Sequence, residues 1–449
     1  MKRKADVSKQ RPVRRNSVFV ALFIVLLALV SGLALPYSGA LDLIFSSAKP
    51  CTLADQIVAS NTRKPVGGCP AGTGDDVVTL HDSITLTGSL PRITGTITVE
   101  GNGHTIDGKD KYQIFDVKGG TLHINNLIMT RGKAYEGGAL ELADNAVLVL
   151  SNSTISDSSA TNGGAIHGVS SNIEVVRSSF VRNKASKNGG GIYLSNAKLH
   201  LSASTISHNR SKVGGGISSK MSKLTIMNSS VSHNRSDKGG ALWSSNSKIE
   251  IYESALERNS VDLLGGAIAS ENSRLKVKLS ALSFNESNTL GSAIYSGKDS
   301  KVHVENSTIS QNSVYSSSGA VHVSRSLVQL IHVTAIGNSS AFGGAGVYKR
   351  SGQLTLINSI VTGNGYADCF ATGGLDSNIN NLITDGSCEP MLTGNPMLNA
   401  TPGSPAYYKP RNSSPALDAA NTDFCPSVDQ RRRRRQKGSS CDLGAIESN

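Results

Sequence analysis

The chain has 449 residues, a formal charge of +12, 46 glycines and only 5% aromatic residues. Few large apolar side chains among much Gly, Ser, Thr and Asn disfavour a helical or doubly wound enzyme and favour thin, strand-rich layers. The charge does not indicate a nucleic-acid binder. Seven Lys/Arg against one Asp in residues 1–16, and six Lys/Arg in "RRRRRQK" (431–437), account for all of it and leave a neutral body.

In chain order, the first predicted element is "VFVALFIVLLALVSGLAL" (18–35), an apolar run behind a basic segment. This is the layout of a secretory leader, with small-residue cleavage sites at "YSGA" or "FSSA", and it is also just long enough to remain as a membrane anchor. Either way, residues 1–40 are expected to place the rest outside the cytoplasm, and any contact with a membrane is expected through this segment alone. Arg14-Arg15 hints at twin-arginine export, but the phenylalanine expected after such a pair is missing. Residues 41–76 are expected to form a cap. "CTLADQIVASNT" (51–62) predicts a short helix with Thr52 as N-cap and Leu53, Ile57 and Val58 as its apolar face. Six cysteines fall as three sequence-local pairs, Cys51 with Cys69, Cys369 with Cys388 and Cys425 with Cys441. An even count in an exported chain reads as disulfides, and the short separations favour local pairing, although spacing does not fix connectivity.

The middle, 77–366, repeats. A Gly-Gly-x-Ile element or its variant begins at 137, 163, 189, 214, 239, 265, 291, 318 and 343, a period of 25 to 27 residues. Such a period means a solenoid whose repeats pack on their neighbours. Within each repeat two apolar residues two apart, such as Leu199 and Leu201, precede a third five later, Ile206, and then Asn209. That pattern predicts three short strands per coil with one inward face each. A leucine-rich repeat would return through a helix, whereas here the return is glycine- and serine-rich and poor helix material. The predicted fold is all-β, a three-sided parallel β-helix. Nine coils at a spacing of about 4.8 Å give a rod of roughly 40 Å.

Stacking turns columns of sequence into columns in space. Asn183, Asn209, Asn234, Asn259, Asn285, Asn312, Asn338 and Asn364 are expected to form a structural amide ladder. His208 and His233 stack beside it as outward turn residues. After each Gly-Gly-x-Ile element come His167, Tyr193, Ser218, Trp243, Ala269, Tyr295, His322 and Tyr348, which alternation turns outward as an interrupted aromatic stripe suited to stacking on sugar rings or to shielding neighbouring strands. A second outward column is Lys198, Lys223, Lys248, Arg274 and Lys301. Like charges about 5 Å apart repel unless they splay into water or meet an anion, so an acidic polysaccharide or envelope polymer is the partner this column suits. The Arg431–Arg435 run carries the same reading, affinity for an anionic envelope.

Signs of catalysis are scarce. Hydrolysis of a pectin-like polymer needs paired carboxylates on one face, and a calcium-dependent lyase needs clustered acids with a nearby base. The one "NTD" (421–423) lies in the tail, and carboxylates in the rod are scattered across columns. "DSNIN" (376–380) opens like a calcium loop, but Asn381 and Ser387 occupy the positions that need Gly and Glu. No CxxC or HxxxH spacing suggests a metal site, and no cofactor is expected.

With these residues in view, "CTLADQIVASNTRKPVGGCPAGTGDDVVTL" (51–80), "GSLPRITGTITVEGNGHTIDG" (88–108), the repeats, and "SSPALDAAN…CPSVDQR…CDLGAIE" (413–447) resemble secreted bacterial right-handed β-helix proteins. Those proteins carry a choice-of-anchor C-terminal region and are polymorphic outer membrane protein-like. The "GGA[ILV]" elements with "FVRN" (180–183) are similar to chlamydial polymorphic membrane protein repeats. The resemblance implies a right-handed, pectin-lyase-like solenoid at the cell surface or outside the cell, with adhesion as its role and no catalytic residues to carry over. Two departures stand out: no transporter barrel follows the rod through Asn449, and "RRRRQK" (432–437) replaces a Gly/Pro stretch of the tail motif, 367–449 being the expected C-terminal cap and tail. The expected function is an adhesin or polysaccharide-binding scaffold without catalysis. A carbohydrate-active enzyme on the same fold is the alternative.

Overall fold

The computed structural model describes residues 50–401, 406–435 and 438–448. The basic segment, the Arg14-Arg15 pair and the leader-like run 18–35 lie outside the described residues. Helix α1 (Leu53–Thr62) opens the described chain. Thr52 caps it by accepting from the Asp55 amide, and Arg63 ends it in a left-handed conformation. Leu53 and Ile57 are buried against Val78 and Ile97 of the first coils, while Val58 is only half-buried and Ala59 and Ser60 take its expected place. Asn61 ties the helix down: its side-chain oxygen accepts from the Thr94 and Gly95 amides, and its amide donates to the Arg92 carbonyl. The open edge of the solenoid is thereby covered, as an exposed parallel edge requires. The Cys51–Cys69 disulfide closes the same segment.

Three parallel ladders then run along a rod. One coil shows the plan: Ile192–Ser195 in the first ladder, Lys198–Ser202 in the second and Thr205–Ser207 in the third. Each pairs in register with the next coil, Ile192 with Ile217, Leu199 with Leu224 and Ile206 with Val231. The inward residues of this coil are almost fully buried. Each such Leu or Ile contributes about 1.5–3 kcal/mol, and only neighbouring coils supply its cover. The architecture is the three-sided parallel β-helix expected from the period.

A fourth, intermittent ladder lies where the glycine- and serine-rich text reads as a loop. Arg235–Lys238, Ser260–Leu264, Glu286–Ser287, Ser313–Ser317 and Ser339–Phe342 stack as one sheet, and Ser159–Asn162 pairs with Lys184–Asn188. These strands have few inward apolar residues, so no hydrophobic alternation marks them. Their backbone bonds are imposed by the coils above and below.

Corners depend on single residues in left-handed conformation. Between the second and third ladders these are Arg177, Ala203, Asn228, Glu253, Leu279, Asn306, His332 and Asn358. Several are asparagine, which tolerates that region better than most residues. The glycine pair serves another corner. Gly163 has a φ of +62°, and a β-carbon on Gly164 would enter the contact shell of the Gly190 carbonyl in the next coil.

The asparagine ladder forms as expected. From Asn183 to Asn338 each side-chain amide donates to the next asparagine oxygen at 2.8–3.1 Å. Each of those oxygens also accepts the backbone amide of the preceding member, as from Asn209 to Asn234 and from Asn234 to Asn259. Ser158 starts the column by donating its backbone amide to Asn183, and the Asp368 carboxylate ends it on Asn364. Burial pushes the Asp368 carboxyl up despite those bonds. A second ladder was not read from the sequence: at the corner between the second and third ladders, backbone amides of Ser153, Ser178, Ser204, Ser229, Ser254 and Ser280 each donate to the following serine hydroxyl.

The rod continues past residue 366. Ser377–Ile379 and Leu382–Ile383 still pair with Thr355–Ile357 and with Ile360–Val361. This coil lacks a Gly-Gly-x-Ile element, but Asn381 still accepts the Ser359 amide, which keeps the corner. The chain then turns back. Its tail lies along the corner between the second and third ladders rather than across the rod's end. Asn421 meets Asn358, Cys441 lies 3.7 Å from His332, Ala445 donates to Thr334, and Val428 accepts from Asn306. All three disulfides pair locally, Cys369–Cys388 and Cys425–Cys441 with the one at the cap.

Candidate functional site

The second ladder brings its cations into direct register. Lys198, Lys223, Lys248, Arg274 and Lys301 are consecutive strand partners, and all five are exposed. Two residues further along the same strands stand His200, Thr225, Glu250, Lys276 and His303; two further still stand Ser202, Met227, Tyr252, Lys278 and Glu305. These five strands therefore turn seven cations and two carboxylates to one face. Lys248 reaches Glu250 at 2.8 Å. That bond, against a smaller penalty from burial and with help from Lys223 and Lys276, holds the Glu250 carboxyl below its usual range. Burial would raise Glu305, but His303 and Lys278 donate to it and hold it at about 2. The other four members of the column have no carboxylate partner among the described residues. At the coil spacing of about 4.8 Å, adjacent unit charges cost about 0.9 kcal/mol per pair in water. Two shallow concavities of about 340 and 330 Å³ lie on this face, the first beside Lys198 and Lys223, the second beside Lys248, Arg274 and Lys301.

The aromatic column is in register as well, but its ring faces are used internally. His167 stacks on Tyr193 at 5.3 Å, and Tyr295, His322, Tyr348 and Phe370 stack in series at 5.0–5.7 Å. Trp243 stands between Ser218 and Ala269, which leave lateral room for its wide ring. Alternation correctly turns these residues away from the core, yet the wall they form is closely packed: His167 is 9% and His322 1% exposed. Burial takes both imidazoles down to about 4. Tyr193, Trp243, Tyr295 and Tyr348 are half-buried. His208 and His233 stack at 4.8 Å on exposed corners.

Sequence reading missed how this column begins. Asp116 pairs in register with Glu141, and Glu141 with His167. Arg92 binds Asp116 at 2.8 Å, and Glu136 lies 3.3 Å from His167. Burial raises both Glu136 and Glu141, the latter helped by Asp116. Asp116 and Arg92 precede the regular repeats, but Glu141 directly follows the element at 137, so counting alone would have placed it at the head of the column. Exposed aromatics were missed too. Tyr315 and Phe342 stand exposed on fourth-ladder strands, and Tyr366 is exposed just before Ala367–Ala371, in segments whose text carries no strand signal.

The arginine run is not a loose cationic loop. Arg435 is buried, and its guanidinium donates to Asn306, Glu447 and the carbonyls of Asp442 and Gly444. Arg431 binds Asp429 and lies over the Tyr407 ring, and Arg432 binds Glu253. Arg433 and Arg434 are exposed. Thus three of the five arginines hold the tail. Two other candidates resolve as structure. Asp376, which opens the calcium-like loop, is bound by Lys349 at 2.7 Å, and Cys425 and Cys441, beside His332, are bonded to each other rather than free to ligate a metal.

Fold and surface together define a parallel β-solenoid with a laterally docked tail and a cationic face. Within it, residues 177–195 match the Chlamydia polymorphic membrane protein repeat. The segment holds Phe180, buried in the third ladder, then Asn183, the glycine corner and Ile192, so the similarity covers one corner-to-strand unit. Among solved structures the chain is similar to the crystal structure of pectate lyase Pel9A, with 13% identity, a TM-score of 0.37, and coverage of 84% of this chain and 86% of that one. No curated protein matches it.

Proposed function

We propose that this is an exported, non-catalytic β-helix scaffold at the cell surface that binds an anionic polysaccharide or envelope polymer through the second-ladder face, and acts as an adhesin. One observation carries the reading: five exposed cations stacked in register, four of them without a carboxylate partner among the described residues. Such a column is repulsive in the free protein and is relieved by a polyanion laid along it. Export is supported by the leader-like run of the sequence and by three disulfides, which belong to oxidising compartments. Surface placement is supported by the matched repeat, whose family is described as a polymorphic membrane protein. The test is Lys198→Ser/Lys223→Ser/Lys248→Ser. Retention on an anionic polysaccharide column should weaken with circular dichroism unchanged; elution at the parent's salt concentration would refute the binding face. Release of products from acidic or neutral polysaccharides would refute the non-catalytic reading.

A further inference from the structure

The tail places a second set of cations beside the same face, in a way the repeat does not require. Between Val428 and Arg435 the chain is pinned to three successive coils: Arg432 to Glu253, Gln430 to the Ser280 carbonyl at 3.3 Å, and both Val428 and Arg435 to Asn306. Glu253 is the corner residue that follows the second-ladder strand Lys248–Tyr252, Asn306 is the left-handed corner residue within the continuous strand Lys301–Ser310, and Ser280 follows Arg274–Lys278. Those three strands carry Lys248, Arg274, Lys276, Lys278 and Lys301, the densest part of the cationic face. The loop is thus fixed along the edge of the region with the most cations, whose two carboxylates, Glu250 and Glu305, are already paired with Lys248 and Lys278. Its structural arginines are neutralised locally: Arg431 by Asp429, Arg432 by Glu253 and Arg435 by Glu447. Arg433 and Arg434 are not; both are exposed and, although the Arg433 backbone amide donates to Asp429, neither guanidinium has a carboxylate partner among the described residues.

We infer that Arg433 and Arg434 and the second-ladder cations form one composite binding track for a linear polysaccharide bearing about one carboxylate or sulfate per sugar. This rests on the proposed binding face and adds a second, independently removable half to it. The ladder offers one cation per coil, every ~4.8 Å. A stretched glycan with one anionic group per ring approaches that spacing, whereas a nucleic-acid strand carries a charge every ~3.4 Å. Two arginines also add planar, bidentate recognition of carboxylate or sulfate that the lysines lack.

The experiment uses the full exported chain, with heparin and polygalacturonate as sulfated and carboxylated probes and duplex DNA as a third. Arg433→Ser/Arg434→Ser, at exposed positions, should leave the fold intact by circular dichroism. It should lower the eluting salt on at least one polysaccharide and make log K fall less steeply with log salt, because fewer counterions are released on binding. Lys248→Ser/Arg274→Ser/Lys301→Ser should act in the same direction, and the combined variant should bind more weakly than either. If the arginine pair elutes like the parent while the lysine set is weakened, the composite track is wrong and the binding face stands. If neither set changes retention, both fall. Retention of DNA to higher salt than either polysaccharide would overturn the ligand class.

Discussion

Replacing Asn259 by alanine removes one rung from the middle of the asparagine ladder. Four bonds vanish: Asn259 accepts from the Asn234 backbone amide and side chain, and donates to the Val231 carbonyl and the Asn285 oxygen. Asn234 and Asn259 are fully buried, so water does not replace these partners. The Asn234 N–H and one of its side-chain hydrogens lose their acceptors. At about 1–3 kcal/mol for each unsatisfied buried group, the loss is about 2–6 kcal/mol. Because each coil touches only its neighbours, the damage should be local, and native-state hydrogen exchange over 231–285 should rise before the rod melts globally. Asn288→Ala, at an exposed position, is the control and should stay within about 0.5 kcal/mol of the parent. Asn259→Asp sharpens the test. Its carboxylate can accept from Asn234 but cannot donate, so burial raises its folded pKa above the unfolded value of about 3.9. The variant should be nearest the parent below that pH and lose stability as pH rises. An Asn259→Ala protein as stable as the Asn288→Ala control, with unchanged exchange, would refute the ladder as a source of stability.

Three further outcomes are expected. His322, held at about 4 by burial, binds a proton more readily when unfolded, so its contribution is intact above about pH 6.5 and is lost as pH falls toward 4, by up to about 3 kcal/mol; His322→Tyr should flatten that part of the denaturation profile, and an unchanged profile would count against it. Arg435→Met removes the guanidinium that joins Asn306 to Glu447 at a cost of about 3–5 kcal/mol, and should raise proteolytic cutting between 406 and 448 while the ladders stay protected; parental resistance there would show that the tail does not depend on it. Gly190→Ala would drive a β-carbon into the Gly215 carbonyl and to 2.6 Å from the Arg210 amide, costing about 3 kcal/mol or more, whereas Gly373→Ala, with a φ of +73° and open space around it, should cost only about 1–2 kcal/mol. Similar denaturation midpoints for the two glycine variants would refute the close coil packing.

Much of the fold is legible because a solenoid writes its contacts into its period. Residues 25 to 27 apart stack directly, so Lys198 over Lys223 and Asn209 over Asn234 follow from counting, whereas short separations favoured the local disulfides without fixing their connectivity. The serine ladder was legible in principle: Ser178, Ser204, Ser229, Ser254, Ser280 and Ser307 recur as regularly as the asparagines. In a serine-rich chain, that column does not stand out from its background. The fourth ladder was not legible, since its strands bury little and owe their bonds to neighbouring coils.

Other features lay beyond counting. Whether an outward residue is open depends on the bulk of its neighbours: His322, between Tyr295 and Tyr348, is buried, while Tyr315 on another side is 63% exposed. The arginine run divided into anchors and free cations only through contacts such as Arg435 with Asn306, 129 residues apart, which no local pattern encodes. Repetition therefore sufficed for the period, the columns and the cationic stripe, because each depends on identical neighbours one coil away. Accessibility and the docking of the tail depend on unlike segments meeting once, and the folded chain alone sets where they meet.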